Sequence, residues 1–372
     1  MFYITVVKHT LANCINNLLN FMFDYIIVGQ GLAGTALAWQ LLKAGKQVLV
    51  INNQYTNQSS QVAAGIYNPI TGRNLVKTWL ADELFPALVQ FYESISAELS
   101  IKLLYPMPIF RPFLDNQESI MWRKRALEDR YKPFWEEAIG DYQEADIFNQ
   151  YGGFIIKQAG YVDVPCFLAA TRTYLQSKNC YIEADFDYER LQLLSEGSVN
   201  YQGIQANKII FCEGPQVALN PFFNYLPFRF AKGELLKVQL SKPIKVIYNR
   251  RVFILPRTRD QAFVGASYEW EDLTLHPTEK ARQELEDKLR QLTRLPYSVF
   301  GQQVGIRPAT VDRRPYAGLH PQYPQLGIFN GLGSKGISLA PYLAGEFVEY
   351  LLYGKSLPVE VRLDRVGGIG TC

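Results

Sequence analysis

Histidine is nearly missing from this chain: only His9, His276 and His320 occur in 372 residues. So few imidazoles argue against Ser-His-Asp or Cys-His catalysis and against a histidine-rich metal site, so no metal is expected. The five cysteines, Cys14, Cys166, Cys180, Cys212 and Cys372, form no CxxC pair and no metal-ligand spacing. An odd, scattered set fits a reduced, intracellular protein, which predicts a cytoplasmic location. No apolar run reaches the ~20 residues that a membrane helix needs. Residues 1–21 contain no early basic cluster and no small-residue cleavage site. They read as an extension, because Met22 stands two residues before Asp24, where the first strand starts. The formal charge is only +3, with 20% charged residues. No field of one sign therefore points to nucleic acid or an anionic membrane. The doublets Arg250/Arg251 and Arg313/Arg314 read as solvated strand or loop residues. If this is an enzyme, a cofactor is needed for the hard chemistry.

What is present is a large core, with 48% hydrophobic residues, and a chain long enough for two interleaved domains. Residues 25–28 form a continuous apolar run, as a strand buried on both faces requires. A glycine turn, a helix over 35–43 closed by Gly45, and a second apolar run over 47–51 follow. Residues 76–99 have helical character, broken or kinked at Pro86. Residues 100–150 are aromatic and charged with weak periodicity, and read as an inserted substrate-facing region. The stretch 206–214 is another buried strand ending in glycine, and 232–240, 250–258 and 261–269 alternate as an antiparallel sheet does. Residues 326–354 repeat the pattern strand, glycine turn, helix. The fold class is therefore α/β. A discontinuous nucleotide-binding domain is expected from 22–80, 151–225 and 300–365, interleaved with an antiparallel α+β domain from 81–150 and 226–299. Residues 366–372 read as a tail.

Gly29-Gln30-Gly31-Leu32-Ala33-Gly34 supplies GxGxxG between strand and helix. Gly29 permits the tight turn, Gly31 lets backbone approach a pyrophosphate, and Gly34 lets the helix pack on the strand. Asn52 stands at the end of the second strand, where such units carry an acid for ribose hydroxyls. Its carboxamide accepts one hydrogen bond and donates another, without charge assistance. An ordinary polar strand end is the competing reading. No Arg or Lys lies within 52–60 to take a 2′-phosphate, so NADP is disfavoured while NAD and FAD both stay open. The turn of residues 331–336 leads into a helix near Ile337, making either a second anion-ready site or a plain capping turn. Arg307, in "GIRP", suits either a structural ion pair with Asp312 or a bidentate grip on a carboxylate.

Nine stretches resemble, in order, the D-amino-acid oxidase-like (DAO) family of FAD-dependent oxidoreductases, which includes glycine oxidase and sarcosine oxidase. They are "YIIVGQGLAG", "SSQVAAGIYNP", "GYVDVP", "IIFCEGP", "KGELL", "FILPR", "VGASYE", "GIRPATVDRRPYAG" and "GIFNGLGSKGISLAP", covering nearly all of 23–363. The resemblance implies a glutathione-reductase-like FAD-binding Rossmann domain with an antiparallel substrate domain. It implies cofactor contacts from Gly29, Gly31, Leu32, Ala33 and Gly34 at the pyrophosphate, and from Asn52 and Asn53 at the adenosine ribose. Ser60, Gln61, Ala64 and Gly65 fall in the segment that approaches the flavin, and Gly214 closes the nucleotide-contacting strand. Gly331, Gly333, Ser334, Lys335, Gly336 and Ile337 form the turn over the flavin ring. Gly305 is a further implied cofactor contact, and sarcosine oxidases attach flavin through a cysteine near it. None is there, which implies non-covalent FAD.

The catalytic residues implied are Arg307, gripping a substrate carboxylate, and Lys335, near the flavin for oxygen activation or charge balance. Tyr67, Tyr248 and Tyr268 line the pocket or simply pack. The implied reaction is hydride transfer to flavin from the C–N carbon of a small amine or amino acid, of glycine, sarcosine or D-amino-acid type. It gives an imine, and O2 or another acceptor then reoxidises the flavin. One alternative is removal of a carboxymethyl group from a tRNA wobble uridine, because the last stretch is also similar to the flavin domain of the bifunctional enzyme that does so. That alternative alone would involve nucleic acid. The other alternative is a flavoprotein without catalysis, suggested by Asn52. Exchange of Asn52 for Asp is expected to tighten FAD binding modestly.

Overall fold

The computed structural model describes residues 21–53, 59–72, 74–137 and 146–366. The extension at 1–21 lies outside the described residues except Phe21, and so does the tail at 366–372 except Val366. The chain divides into two compact units, with boundaries after Gln61, Pro165, Phe230 and Ile306.

The first unit is built on a parallel sheet. Met22–Val28 lies between Val48–Asn52 and Ile204–Phe211, with Ile26 level with Leu49 and Ile209. Tyr181–Glu183 flanks Val48–Asn52, and Leu326–Asn330 flanks Ile204–Phe211, both in parallel. Val199–Tyr201 and Leu191–Leu193 add an antiparallel edge. The central strands lack polar alternation because both faces are covered: Ile26, Ile27, Leu49 and Val50 have no exposure. The helix Leu32–Lys43 packs along Gly336–Tyr353, where Gln40 Nε2 donates to Pro341 O at 3.1 Å. Both helices follow strands that end at the same, carboxyl edge of the sheet, where open α/β sheets bind ligands.

The second unit is an eight-stranded sheet in the order Tyr297–Arg307, Ala231–Leu240, Gln261–Gly265, Val252–Pro256, Ile247–Arg250, Ile109–Pro112, Gly153–Ile156, Trp135–Glu137. Helix Glu279–Leu292 lays Leu285, Leu289 and Leu292 against Leu236, Val238 and Val264, while its other face carries charges. Thr278 caps that helix and donates to the buried Glu234.

Residues 62–80 and 151–165 cluster with this unit rather than with the nucleotide domain expected to hold them. The reason is pairing: Gly160–Val162 bonds to Ile66–Tyr67 and Leu104–Pro106, and Gly153–Ile156 bonds to Ile109–Pro112. Residues 226–230 cluster with the first unit and 300–306 with the second, again shifting the expected boundaries. Arg250 is not solvated: it is 8% exposed and its guanidinium donates to the carbonyls of Phe113, Phe148 and Gln291.

Candidate functional site

The three glycines of the first turn answer to different demands. Gly29 has φ +99°, and a Cβ there would lie 2.5 Å from Cys212 O. A Cβ on Gly34 would lie 1.9 Å from Gly29 O, so the strand and helix could not close together. The fold itself therefore requires both. Gly31 is different, with φ −83° and ψ −167°, extended backbone open to any residue. Among the described residues, a Cβ there would meet only the Ser60 hydroxyl, at 3.2 Å. Nothing among the described residues explains glycine at 31 as well as a ligand approaching the backbone does. Leu32 N at the helix start donates to Ser60 Oγ at 3.1 Å, which leaves the hydroxyl proton to point at an anion. No acidic side chain occupies the first turn, so the positive end of the helix dipole is unopposed there.

Around this turn the protein spends several buried amides on holding geometry. Gln30 is 1% exposed; its Nε2 donates to Leu168 O at 2.8 Å and its Oε1 accepts from Arg172 Nε at 3.2 Å. Asn52 Oδ1 accepts from Gln30 N at 2.8 Å, and Asn52 Nδ2 donates to Asn53 O at 2.5 Å and Tyr181 Oη at 3.3 Å. Asn330 Nδ2 donates to Gly214 O at 2.9 Å, and its Oδ1 accepts from Gly331 N at 2.8 Å, so one side chain ties two strand ends together. Sequence reasoning missed Asn330, whose Asn-Gly pairing signals only a turn. It also missed Glu213, which accepts from Tyr188 Oη and from Asn220 Nδ2. Burial pushes that carboxyl up to about 7, against the smaller opposing pull of those two donors.

The second turn, at 331–336, has Gly331 at φ +82° and Gly333 at φ +56°. A Cβ on Gly331 would strike Thr310 Cγ2 at 2.6 Å. Gly333 N donates to Pro308 O at 3.1 Å, and Ala309 N donates to Arg307 O at 3.0 Å. The turn is thus bonded to the residue after Arg307. Lys335 stands at the N-cap of Gly336–Tyr353, and Leu32 Cδ1 lies 3.0 Å from where a Gly336 Cβ would be. The amino ends of the two helices therefore meet. Burial, then the positive charges of Arg314 and Arg313, lowers the Lys335 ammonium to about 8. Ser334 beside it is exposed, while Ile337 is buried.

The first unit thus collects Gly29, Gly31, Leu32, Ala33, Gly34, Asn52, Asn53, Ser60, Gln61, Gly214, Arg307, Gly331, Gly333, Ser334, Lys335, Gly336 and Ile337. Ala64, Gly65 and Gly305 belong to the second. Gly65 is already explained by packing, since a Cβ there would lie 2.0 Å from Val162 O. Asp312 does not lean on Arg307 as one reading of the sequence had it. Arg365 Nε holds it at 2.8 Å, with Thr310 Oγ1 and Arg314 N each at 3.0 Å. Tyr248 is not a pocket residue: it has no exposure and packs edge-on to Phe110 in the sheet core. Tyr67 lines a groove of about 630 Å³ with Phe85, Pro86 and Met107. Tyr268 is exposed, with its ring stacked 6.0 Å from Trp270. Among the described residues no cluster of His, Cys, Asp and Glu could hold a metal, and no helix is long and apolar enough to cross a membrane.

Residues 24–350 match the DAO family, FAD dependent oxidoreductase. The chain belongs to this family. It is a family of FAD-dependent oxidoreductases, and a pyrophosphate-bearing cofactor fits a Gly31 beside a helix amino end that little among the described residues hinders. Similar proteins include the bifunctional protein ThiO/ThiG of Nostoc sp., 27% identical over 90% of this chain and 54% of its own length. Another is the tRNA 5-methylaminomethyl-2-thiouridine biosynthesis bifunctional protein MnmC of Leptospira interrogans, 23% identical over 90% of this chain and 58% of its own. The chain spans about half the length of these curated relatives. Among solved structures, glycine oxidase from Geobacillus kaustophilus superposes with TM-score 0.75 at 19% identity, covering 90% of this chain and 96% of that one. Iminodiacetate oxidase from Chelativorans sp. gives 0.73 at 19% identity, covering 92% and 98%.

Proposed function

We propose that this protein oxidises the C–N bond of a small amine or amino acid that carries a carboxylate, in the manner of glycine, sarcosine or iminodiacetate. The observation that carries this reading is the bond from Gly333 to Pro308, which fixes Arg307 beside the second glycine turn. Non-covalent FAD would lie with its pyrophosphate at Gly31, Leu32 and Ser60 and its flavin near 331–336. When bound, it supplies a two-electron acceptor for the C–H next to nitrogen.

The protein's own part is orientation and charge. Arg307 offers a planar, bidentate donor pair for the substrate carboxylate, which fixes the α-carbon. Lys335 and the amino end of its helix bring positive charge to the turn. With its ammonium near 8, Lys335 is mainly protonated at neutral pH yet able to release its proton slightly above it. The substrate loses a hydride from carbon and a proton from nitrogen, and water cleaves the resulting imine to a carbonyl compound and an amine. Such chemistry needs no histidine, which fits the composition.

Anaerobic mixing with glycine, sarcosine, iminodiacetate and D-alanine, followed at the flavin absorbance bands, tests this directly. At least one should bleach the flavin, and admission of air then shows by peroxide whether O2 is the acceptor. A panel without any bleaching removes the small-substrate reading. The match to the MnmC relatives favours a second reading, in which the carboxylate belongs to a carboxymethylaminomethyl group on a tRNA wobble uridine. The same Arg307 grip would serve it. Accumulation of that group in wobble uridines of a deletion strain, read by mass spectrometry, separates the two.

A further inference from the structure

The position that would offer a carboxylate to the adenosine ribose holds Asn52, and its side chain is turned inward. Asn52 is 5% exposed, its oxygen takes the Gln30 amide, and its two N–H groups go to Asn53 O and Tyr181 Oη. A hydrogen-bonded line continues from it along the carboxyl edge of the sheet. The neighbouring strand Tyr181–Glu183 runs parallel with Glu183 opposite Asn52, and Ala184 N donates to Asn52 O at 3.1 Å. One residue on, Asp185 brings an exposed carboxylate whose Oδ1 accepts from Asn53 Nδ2. Glycine turn, Asn52, Asn53 and Asp185 thus follow one another in space, although Asp185 is far from the turn in sequence.

We infer that Asp185 is the carboxylate that binds the ribose hydroxyls of the adenosine half of FAD, in place of the missing acid at 52. A carboxylate has about four acceptor sites, and the tether to Asn53 orients it in advance. Glu183, the other acid on this strand end, has a longer side chain and stands in register with Asn52. The inference rests on the placement of FAD at the first glycine turn.

The test is titration of apoprotein with FAD and with an FAD analogue carrying 2′,3′-dideoxyadenosine, read by flavin fluorescence. Wild-type protein should bind the analogue roughly ten-fold more weakly than FAD, the scale of a charge-assisted hydrogen bond. Asp185→Asn should lose about the same factor for FAD and bind both ligands alike, whereas Glu183→Gln should bind FAD as the wild type does. The wild-type comparison needs no variant, so misfolding cannot blur it. Equal wild-type affinity for the two ligands, or an Asp185→Asn loss that is the same for both, overturns the inference, and so does a loss that falls on Glu183→Gln instead. Gly31→Ala separates the two layers. If it loses FAD while Asp185→Asn does not, Asp185 alone is wrong. If neither loses FAD, the placement at the turn is wrong.

Discussion

Gly31→Ala should release FAD while leaving the apoprotein folded. The backbone at Gly31, φ −83° and ψ −167°, suits alanine, and the only atom of the described residues near the new methyl is Ser60 Oγ at 3.2 Å. Loss of chain entropy in the unfolded state favours the variant by about 0.4–1 kcal/mol. Alanine is a poorer N-cap than glycine, which offsets this by roughly 0.5–1 kcal/mol. Apoprotein stability should therefore stay within about 1 kcal/mol of wild type. A bound pyrophosphate would meet the methyl where a backbone amide now invites it. Overpacking of that kind costs about 1–3 kcal/mol, or roughly 5- to 150-fold in FAD affinity. The comparison has to be made on apoprotein, because ligand at 1,000 times Kd adds ~4 kcal/mol of apparent stability that the variant would lose by mass action alone. Thermal melts of the two apoproteins, followed by FAD titration, read both quantities. Gly34→Ala is the contrast: its methyl would sit 1.9 Å from Gly29 O, and the apoprotein should melt far lower or not fold. If Gly31→Ala binds FAD at wild-type affinity, or its apoprotein fails as Gly34→Ala does, the argument that a ligand explains Gly31 is refuted.

Arg307→Ala should raise KM for a carboxylate substrate by roughly 10- to 100-fold and weaken competing carboxylates equally, with flavin content unchanged. Arg307→Lys should recover only part of this, because a point charge cannot make the bidentate contact; unaltered inhibitor binding in both would argue against the grip. For Lys335 the folded-state value is pushed down to about 8 from its ordinary 10.5, so the protonated amine weighs against the fold at neutral pH. That weight lifts as pH rises from 8 towards 10.5, and Lys335→Met should flatten this rise in urea-midpoint measurements on apoprotein; an unchanged pH slope would contradict it. Asn52→Asp should lower the apoprotein melting temperature, by about 1–3 kcal/mol in stability, because a carboxylate oxygen would replace the N–H groups now given to Asn53 O and Tyr181 Oη. It should not tighten FAD, reversing what the sequence suggests; tighter binding with unchanged melting would restore the ribose role of residue 52.

The parts of the fold that could be read in the sequence are those whose causes are local. The run at 25–28 is a strand that its own apolar residues announce, and Gly34 is glycine because Gly29 O, five residues earlier, forbids a Cβ. The parts that could not be read depend on distant partners. Residues 66–67 join the second unit because they pair with 160–161, and no pattern within "GIYNP" announces that. Tyr248 has the composition of a pocket residue, but the register of Ile247–Arg250 against Ile109–Pro112 turns it into the core against Phe110. Asp312 is five residues from Arg307, and proximity in sequence suggested a pair. The chain instead returns Arg365 to it from 53 residues away.

Asn52 shows the same limit from the side of function. As a departure from an acidic position it is plain in one line of sequence, and by itself it argues for a weakened cofactor site. Its structural role is a different one. A neutral carboxamide can accept the Gln30 amide and donate to a carbonyl and a phenol at once, which a carboxylate cannot, so the hydrogen bonds of the residue go to holding the glycine turn. On the inference drawn above, another group near the strand ends carries the negative charge instead. In a parallel sheet the adjacent strand end is the nearest place for it, and that strand comes from 181–183, beyond residues 62–165 of the second unit. A missing charge is a local fact. Any replacement depends on which strands lie side by side, and it is the folded sheet that brings Asp185 to Asn53.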